Sequence, residues 1–192
     1  MIHWRHVSAF IGIARDRSCE SNCVTVDSSG APVVHYSVTA ADSAMMLDGL
    51  DLQLRLMYAA GARALFPVNE HFPWFVPDDA SSTDRDLARD PRMQQYLAAV
   101  RAEGVQPLRV NCFSAHQMSS CRMSATRQDG PVRPSGETWE CAGLFCADGS
   151  SLPSSLGLNP MVTIAAMGHM VARNIMHVCG VSPASDKGDE LF

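Results

Sequence analysis

Long hydrophobic runs are missing from this chain, and no window approaches the roughly 18 uninterrupted apolar residues that a membrane-spanning helix needs. Basic charge is scarce too. Against 15 Lys and Arg stand 20 Asp and Glu, a formal net charge of −5, which argues against a nucleic-acid binder held by phosphate contacts. The cysteines lack zinc-site spacing: Cys19/Cys23, Cys112/Cys121 and Cys141/Cys146 enclose three, eight and four residues, and Cys179 stands alone. A zinc site wants two short pairs, so no metal is expected. An odd number of cysteines in a chain long enough to bury a core without staples points to reduced thiols and an intracellular location. No internal repeat or low-complexity tract appears. With 46% hydrophobic and 18% charged residues the chain is too apolar for disorder, and 13 glycines with 11 prolines are too scattered for a fibre. A globular domain is what remains.

Val7 to Ala14 is apolar, but only Arg5 and two histidines flank it, and Arg15, Asp16 and Arg17 follow without a small-residue cleavage pattern. It reads as mature protein. Val7–Ala14 and Cys23–Val26 read as strands, and Ser28-Ser29-Gly30-Ala31-Pro32 is turn chemistry leading into Val33–Val38. Thr39 with Asp42 three residues later caps a helix, and Met46, Leu47, Leu50, Leu54 and Met57 give it an apolar face, expected to rest on a sheet, until Gly61. Pro67 to Thr83 holds three prolines among His71, Phe72, Trp74 and Phe75, which suits a long irregular loop. Its aromatics either cover a pocket or pin the loop to its own domain. Asp90-Pro91 starts a second helix, with Tyr96, Leu97 and Val100 buried, that ends at Gly104. Val110–Phe113 and Leu144–Ala147 read as short strands. Asn159-Pro160 opens a last helix with Ile164, Met167, Val171, Ile175 and Val178 on one face, and a loose tail begins at Ser182.

Three features carry candidate chemistry. In Ser114-Ala115-His116-Gln117-Met118-Ser119-Ser120-Cys121-Arg122-Met123 a histidine follows a predicted strand and precedes small polar residues. Strand ends display catalytic groups, and the unperturbed pKa of histidine lies nearest neutrality, although a lone histidine is often structural. Asp148-Gly149-Ser150 offers an acceptor and a bare backbone at a strand end, suited to sugar-like hydroxyls, or an ordinary turn. Leu158-Asn159-Pro160-Met161 is a helix start whose unpaired amides favour an anion, with Asn159 a candidate cap.

In this order the three features resemble the C-terminal part of the glucose-methanol-choline oxidoreductases, flavoenzymes that oxidise alcohols. Ser114–Met123, Gly143–Ser150 and Gly157–Ile164 carry the resemblance, strongest over residues 110–178. Ser-Ala-His-Gln-Met and Phe10–Arg17 are most similar to the long-chain fatty alcohol oxidase branch. The resemblance implies an α+β fold: an antiparallel sheet with flanking helices forms a substrate domain over residues 1–140. A terminal strand and helix over 141–180 return to the FAD-binding domain, and 181–192 is tail. It implies FAD as hydride acceptor and a primary, long-chain alcohol as substrate, oxidised to an aldehyde. It implies that His116 takes the hydroxyl proton. Asn159 hydrogen-bonds the substrate oxygen, since an amide is no base. Asp148 and Gly149 lie along the FAD chain, and Asn159, Pro160 and Met161 bring the helix start to the flavin.

Two positions depart from the pattern, Ser124 where glycine is usual and Arg133 where aspartate is usual. A larger departure is the missing G-x-G-x-x-G turn, which grips the FAD diphosphate in the family. The chain is therefore expected to be the C-terminal piece of a longer enzyme, partnered by an N-terminal FAD-binding region, and tight FAD binding by this piece alone is not expected. Membrane association of the whole enzyme goes with the long-chain branch. Two other readings stay open: an inactive truncated paralogue or interaction module without flavin, and a metal module on Cys112, His116 and Cys121 that the spacing disfavours.

Overall fold

Helix α1 (Ala40–Ala59), helix α2 (Pro91–Glu103), helix α3 (Met161–Val178) and an antiparallel pair, β1 (Cys23–Val26) with β2 (Pro32–His35), are the longer regular elements of the computed structural model. It describes residues 4–17, 19, 21–67, 72–79, 82, 85–105, 110 and 112–181. The class is α+β, as expected. The chain forms two compact units, Met1–Ala14 with Ser37–Phe113, and Arg15–Tyr36 with Ser114–Phe192. This division does not test the boundary at residue 140 that the family resemblance implies. The expected tail lies outside the described residues. Among the described residues no helix is long and apolar enough to cross a membrane.

The first unit is built by its caps. Thr39 Oγ1 accepts the Asp42 N–H at 3.1 Å and donates to the Asp42 carboxylate at 2.6 Å, which fixes the first turn of α1. Gly61, at φ +86°, ends it: Ala62 N–H bonds Met57 and Gly61 N–H bonds Tyr58, so the last carbonyls are satisfied. The apolar face of α1, expected to rest on a sheet, is instead covered by α2, Leu65 and Phe75. Leu54, Tyr58, Leu65, Phe75, Met93, Leu97 and Val100 form the core. Leu65 and Phe75 exchange backbone bonds of 2.8 and 2.9 Å, and Phe75 packs edge-on against Tyr58 at 6.1 Å. Phe72 and Phe75 thus pin their loop to its own unit, whereas Trp74 turns outward and stacks on Phe66 at 4.8 Å. His71 lies outside the described residues.

Asp90 ties the two helices together. One carboxylate oxygen accepts the N–H groups of Arg92 and Met93, both at 3.0 Å, and the other accepts the Tyr58 hydroxyl at 2.6 Å. The Tyr58 hydroxyl and those amides hold the Asp90 carboxyl below its ordinary value. Burial, and then Asp90 itself, push the Tyr58 phenol up.

In the second unit the hairpin turn is held by Asp27, whose Oδ1 accepts from Ser29 N and Oγ and from Ala31 N within 2.9 Å. Strand content is smaller than the sequence suggests. Val7–Ala14 forms no strand: among the described residues the named ladder joins β1 and β2 alone. Cys112–Phe113 forms none either, and Asn111 lies outside the described residues. Leu144–Ala147 is reduced to one bridge, Phe145 with Glu137, plus the Cys146 N–H on Gly136 at 2.9 Å. The facing run explains this: Pro134 has no N–H to donate, and Gly136 at φ +92° breaks the extended backbone. Helix α3 covers these loops through Val171, which is fully buried.

Replacing Asp90 by Ala removes a cap and orphans a buried phenol, so stability should fall by about 2 kcal/mol in a denaturant titration, and by roughly half that for Asp90→Asn. Because the folded carboxyl titrates below its ordinary value of 3.8, its contribution is complete above that pH and lost as pH falls through the lower folded value. A Cβ on Gly136 would lie 2.5 Å from Val171 Cγ2. Gly136→Ala should therefore cost about 3 kcal/mol, combining left-handed backbone strain with overpacking. A double-mutant cycle with Val171→Ala should return at least about 1 kcal/mol of favourable coupling, and strict additivity would place the whole cost in the backbone.

Candidate functional site

The three sequence features converge in the second unit. The segment carrying His116 runs beside the Asp148 corner on three backbone rungs: Ser119 N–H to Gly149 at 3.4 Å, Cys121 N–H to Ser150 at 2.9 Å and Met123 N–H to Ser151 at 2.9 Å. Gly149 is pinned in the middle. A Cβ there would meet Ile164 Cδ1 at 3.0 Å and the Gln117 carbonyl oxygen at 3.3 Å. One backbone position therefore touches the residue after His116 on one side and the first turn of α3 on the other.

His116 is half-buried. Its N–H donates to Ser114 Oγ at 3.3 Å, and Gln117 Nε2 donates to the Ser114 carbonyl at 2.8 Å, which fixes the chain around it. No described residue hydrogen-bonds its imidazole. Asp148 caps a single 3-10 turn, Gly149–Ser151, with Oδ1 accepting from Ser150 N at 2.8 Å and Ser150 Oγ at 2.5 Å. The Ser150 hydroxyl, then its amide, hold the carboxyl below the ordinary range. Among the described residues nothing donates to Oδ2.

Asn159 does not cap α3, contrary to the sequence reading. The cap is Pro160, at φ −86° and ψ −3°, with no side-chain bond to the helix. A cap side chain must sit directly before the first helical residue to reach the N–H two or three positions on, and Asn159 stands one residue too early. Its amide is exposed and unspent by the fold. Pro160 is buried, while Leu158, Met161 and Val162 surround the helix start at 70%, 77% and 76% exposure, an apolar collar about its unpaired amides. Arg15 secures the preceding loop: Nε bonds the Ser155 carbonyl at 3.0 Å, and its Cβ fills the space beside Gly157.

Sequence reasoning missed three contributors. Gln117 and Ile164 are the two walls of Gly149, whereas the sequence offered them as a motif member and a helix-face residue. Ser119 sits at φ +71°, a conformation that favours glycine, with its hydroxyl buried and unpartnered. No sequence signal marks a strained serine. The hollows of the first unit, beside Asp51 and Arg101 and beside Asp78 and Arg85, contain none of the predicted site residues. Among the described residues no three His, Cys, Asp or Glu side chains gather to hold a metal ion.

By residue chemistry, an imidazole, an amide, a free carboxylate oxygen and helix amides could meet the hydroxyls and polar edge of a flavin cofactor. Unspent polar groups, the His116 imidazole, the Asn159 amide and Asp148 Oδ2, sit on segments joined at Gly149, together with free helix amides. Gly149 owes its missing side chain to Ile164 and Gln117, so its bare backbone serves packing. No glycine-rich turn for a diphosphate occurs in the sequence.

Residues 19–168 match the C-terminal part of the family described as GMC oxidoreductase. Long-chain-alcohol oxidase FAO4A of Arabidopsis thaliana is 29% identical over 178 residues, 93% of this chain and 23% of that protein. Its relative FAO4B is 34% identical over 147 residues, 74% of this chain and 19% of that protein. A 2-methyl-1,2-propanediol dehydrogenase of Mycolicibacterium austroafricanum is 38% identical over 52 residues, 27% of this chain and 9% of that protein. The chain spans 23% and 19% of the two plant relatives' length. With the family pattern running through most of its residues, including all three joined segments, the chain belongs to the GMC oxidoreductases.

Proposed function

We propose that this chain supplies the alcohol-facing side of an FAD-dependent alcohol oxidase or dehydrogenase acting on primary, long-chain alcohols, within an enzyme that includes an N-terminal FAD-binding region. The observation that carries the reading is Gly149, held between the Gln117 carbonyl and Ile164, which joins the His116 segment, the Asp148 corner and the start of α3. Similarity to long-chain-alcohol oxidases supports the substrate class. Membrane association and an intracellular location of the whole enzyme belong to the same proposal.

FAD, when bound, supplies the two-electron acceptor for the hydride that leaves the alcohol carbon. The chain's residues do the rest. His116 Nδ1 or Nε2, free of internal partners, accepts the hydroxyl proton as the carbonyl forms. Asn159 donates to the substrate oxygen and holds it toward the imidazole; an amide has no basic nitrogen, so the proton falls to His116. The unpaired N–H groups at the start of α3 favour negative charge beside them, an effect that grows when water is excluded. Asp148, held ionised by Ser150, would accept a hydroxyl of the cofactor chain with its remaining oxygen. Leu158, Met161 and Val162 supply the apolar cover.

In the enzyme assembled with its FAD-binding region, His116→Ala should slow anaerobic flavin bleaching by a long-chain primary alcohol by about 10² to 10⁴, the usual contribution of a positioned base. Asn159→Ala should slow it less and weaken alcohol binding. Bleaching at an unchanged rate in the His116 variant removes the proposed proton acceptor.

A further inference from the structure

Arg133 and Trp139 form a second polar cluster in this unit that the reaction above does not use. The guanidinium carbon of Arg133 lies 4.5 Å over the Trp139 ring. Arg133 Nε and Trp139 Nε1 are both buried and both lack a hydrogen-bond partner. Buried donors left unpaired are rare and costly. Two of them side by side, one on a cation, call for an acceptor.

Nothing nearby provides it. Of the carboxylates in the same stretch, Glu137 accepts the Gly143 N–H at 2.9 Å and Glu140 pairs with Arg127 at 2.9 Å. Among the described residues no carboxylate pairs with Arg133. The frame around the cluster is fixed. Arg133 N–H bonds Glu137 at 2.7 Å, Gly136 N–H bonds Arg133 at 2.9 Å and Trp139 N–H bonds Pro131 at 3.0 Å. Asn174 Nδ2 of α3 holds the Ser135 carbonyl at 2.8 Å. Val171, which abuts Gly136, lies seven residues along α3 from Ile164, about 10 Å at helical rise. The cluster is therefore set apart from the Gly149 junction.

We propose that Arg133 and Trp139 form a binding site for an oxyanion, a carboxylate or phosphate group. The guanidinium offers Nε and an Nη as parallel donors in one plane, the indole ring 4.5 Å from its carbon holds the head group in place, and the indole N–H adds a third donor. The set contains donors only and carries positive charge, which selects an anion over a cation or a neutral hydroxyl. Arg133 is half-buried with Nε beneath the surface, so an anion meets the outer guanidinium nitrogens first and reaches Nε and the indole N–H by displacing the side chains that cover them.

The test uses the whole chain, with no flavin and no alcohol, so it stands or falls apart from the oxidase reading. Titrating sodium phosphate and, separately, sodium acetate against chloride at matched ionic strength, the Nε1–H resonance of Trp139, one of three tryptophans, should shift saturably for at least one anion. Arg133→Gln should abolish the shift, and Arg133→Lys, which keeps the charge but loses the planar fork, should weaken it at least about tenfold. A shift with phosphate alone or with acetate alone supports the site and names its occupant. An unmoved Trp139 resonance with both anions, or an equal shift in Arg133→Gln, overturns it.

Discussion

Helix α3 approaches its neighbours where side chains are absent, and the second unit depends on that closeness. Ile164 fits against Gly149, Val171 fits against Gly136, and Gly168 on the helix itself faces the Ala147 carbonyl with only 3.3 Å to a would-be Cβ. Positions 164, 168 and 171 follow helical spacing, so a single stripe of α3 meets three stretches of loop backbone. Asn174 continues the same stripe with a hydrogen bond to the Ser135 carbonyl. Packing against bare backbone replaces the sheet that would otherwise order those loops.

That replacement explains how irregular segments can present chemistry. Loops normally pay for their freedom with imprecision, but here the His116 segment is tied to the 149–151 turn by three backbone bonds, and the turn is clamped by α3. Backbone donors find acceptors locally: Ser150 N–H takes Asp148 Oδ1, and the Cys121 and Met123 N–H groups take the Ser150 and Ser151 carbonyls. Strain at Ser119, φ +71°, is sustained because its own N–H and the next rung, from Cys121, fix the chain there. Rigid loops with unspent side chains are what a site needs.

The helices were legible in the sequence because their ends are chemically explicit. Asp90-Pro91 and Gly104, and Thr39-x-x-Asp42 and Gly61, each act through a local hydrogen bond or a local φ, and local causes survive without knowledge of the fold. Strands were less legible, since a strand exists only where a partner lies. Val7–Ala14 has the composition and lacks the partner, whereas Cys23–Val26 has both. For the site, His116, Asp148, Gly149 and Asn159 stood out by motif. What joins them did not, because Gly149 reads as conformational freedom and proves to be a packing constraint set by Ile164, fifteen positions away. Asn159 looked like a cap from its place before proline, yet the one-residue offset that frees its amide is visible only in the backbone. Arg133 was conspicuous as a departure from pattern, while its stacking on Trp139 needed coordinates.

Polar groups in this unit sort by what folding leaves over. Asp27 uses a carboxylate oxygen to fix a turn and is held ionised by the hydroxyl and amides it accepts. Asp148 does the same with Oδ1 and keeps Oδ2 free. An ionised carboxylate can only accept, so Asp148 Oδ2 favours a group that donates, such as a hydroxyl, while the unpaired N–H groups at the start of α3 add donors at the same end. The remaining groups of Arg133 and Trp139 can only donate, so the Val171 end favours ligands that accept. His116 and Asn159, which can do both, stand on the segments that meet at the Gly149 end. One helix thus carries a mixed set of donors and acceptors near one end and a donor-only pair near the other, and the difference follows from which atoms the fold had already consumed.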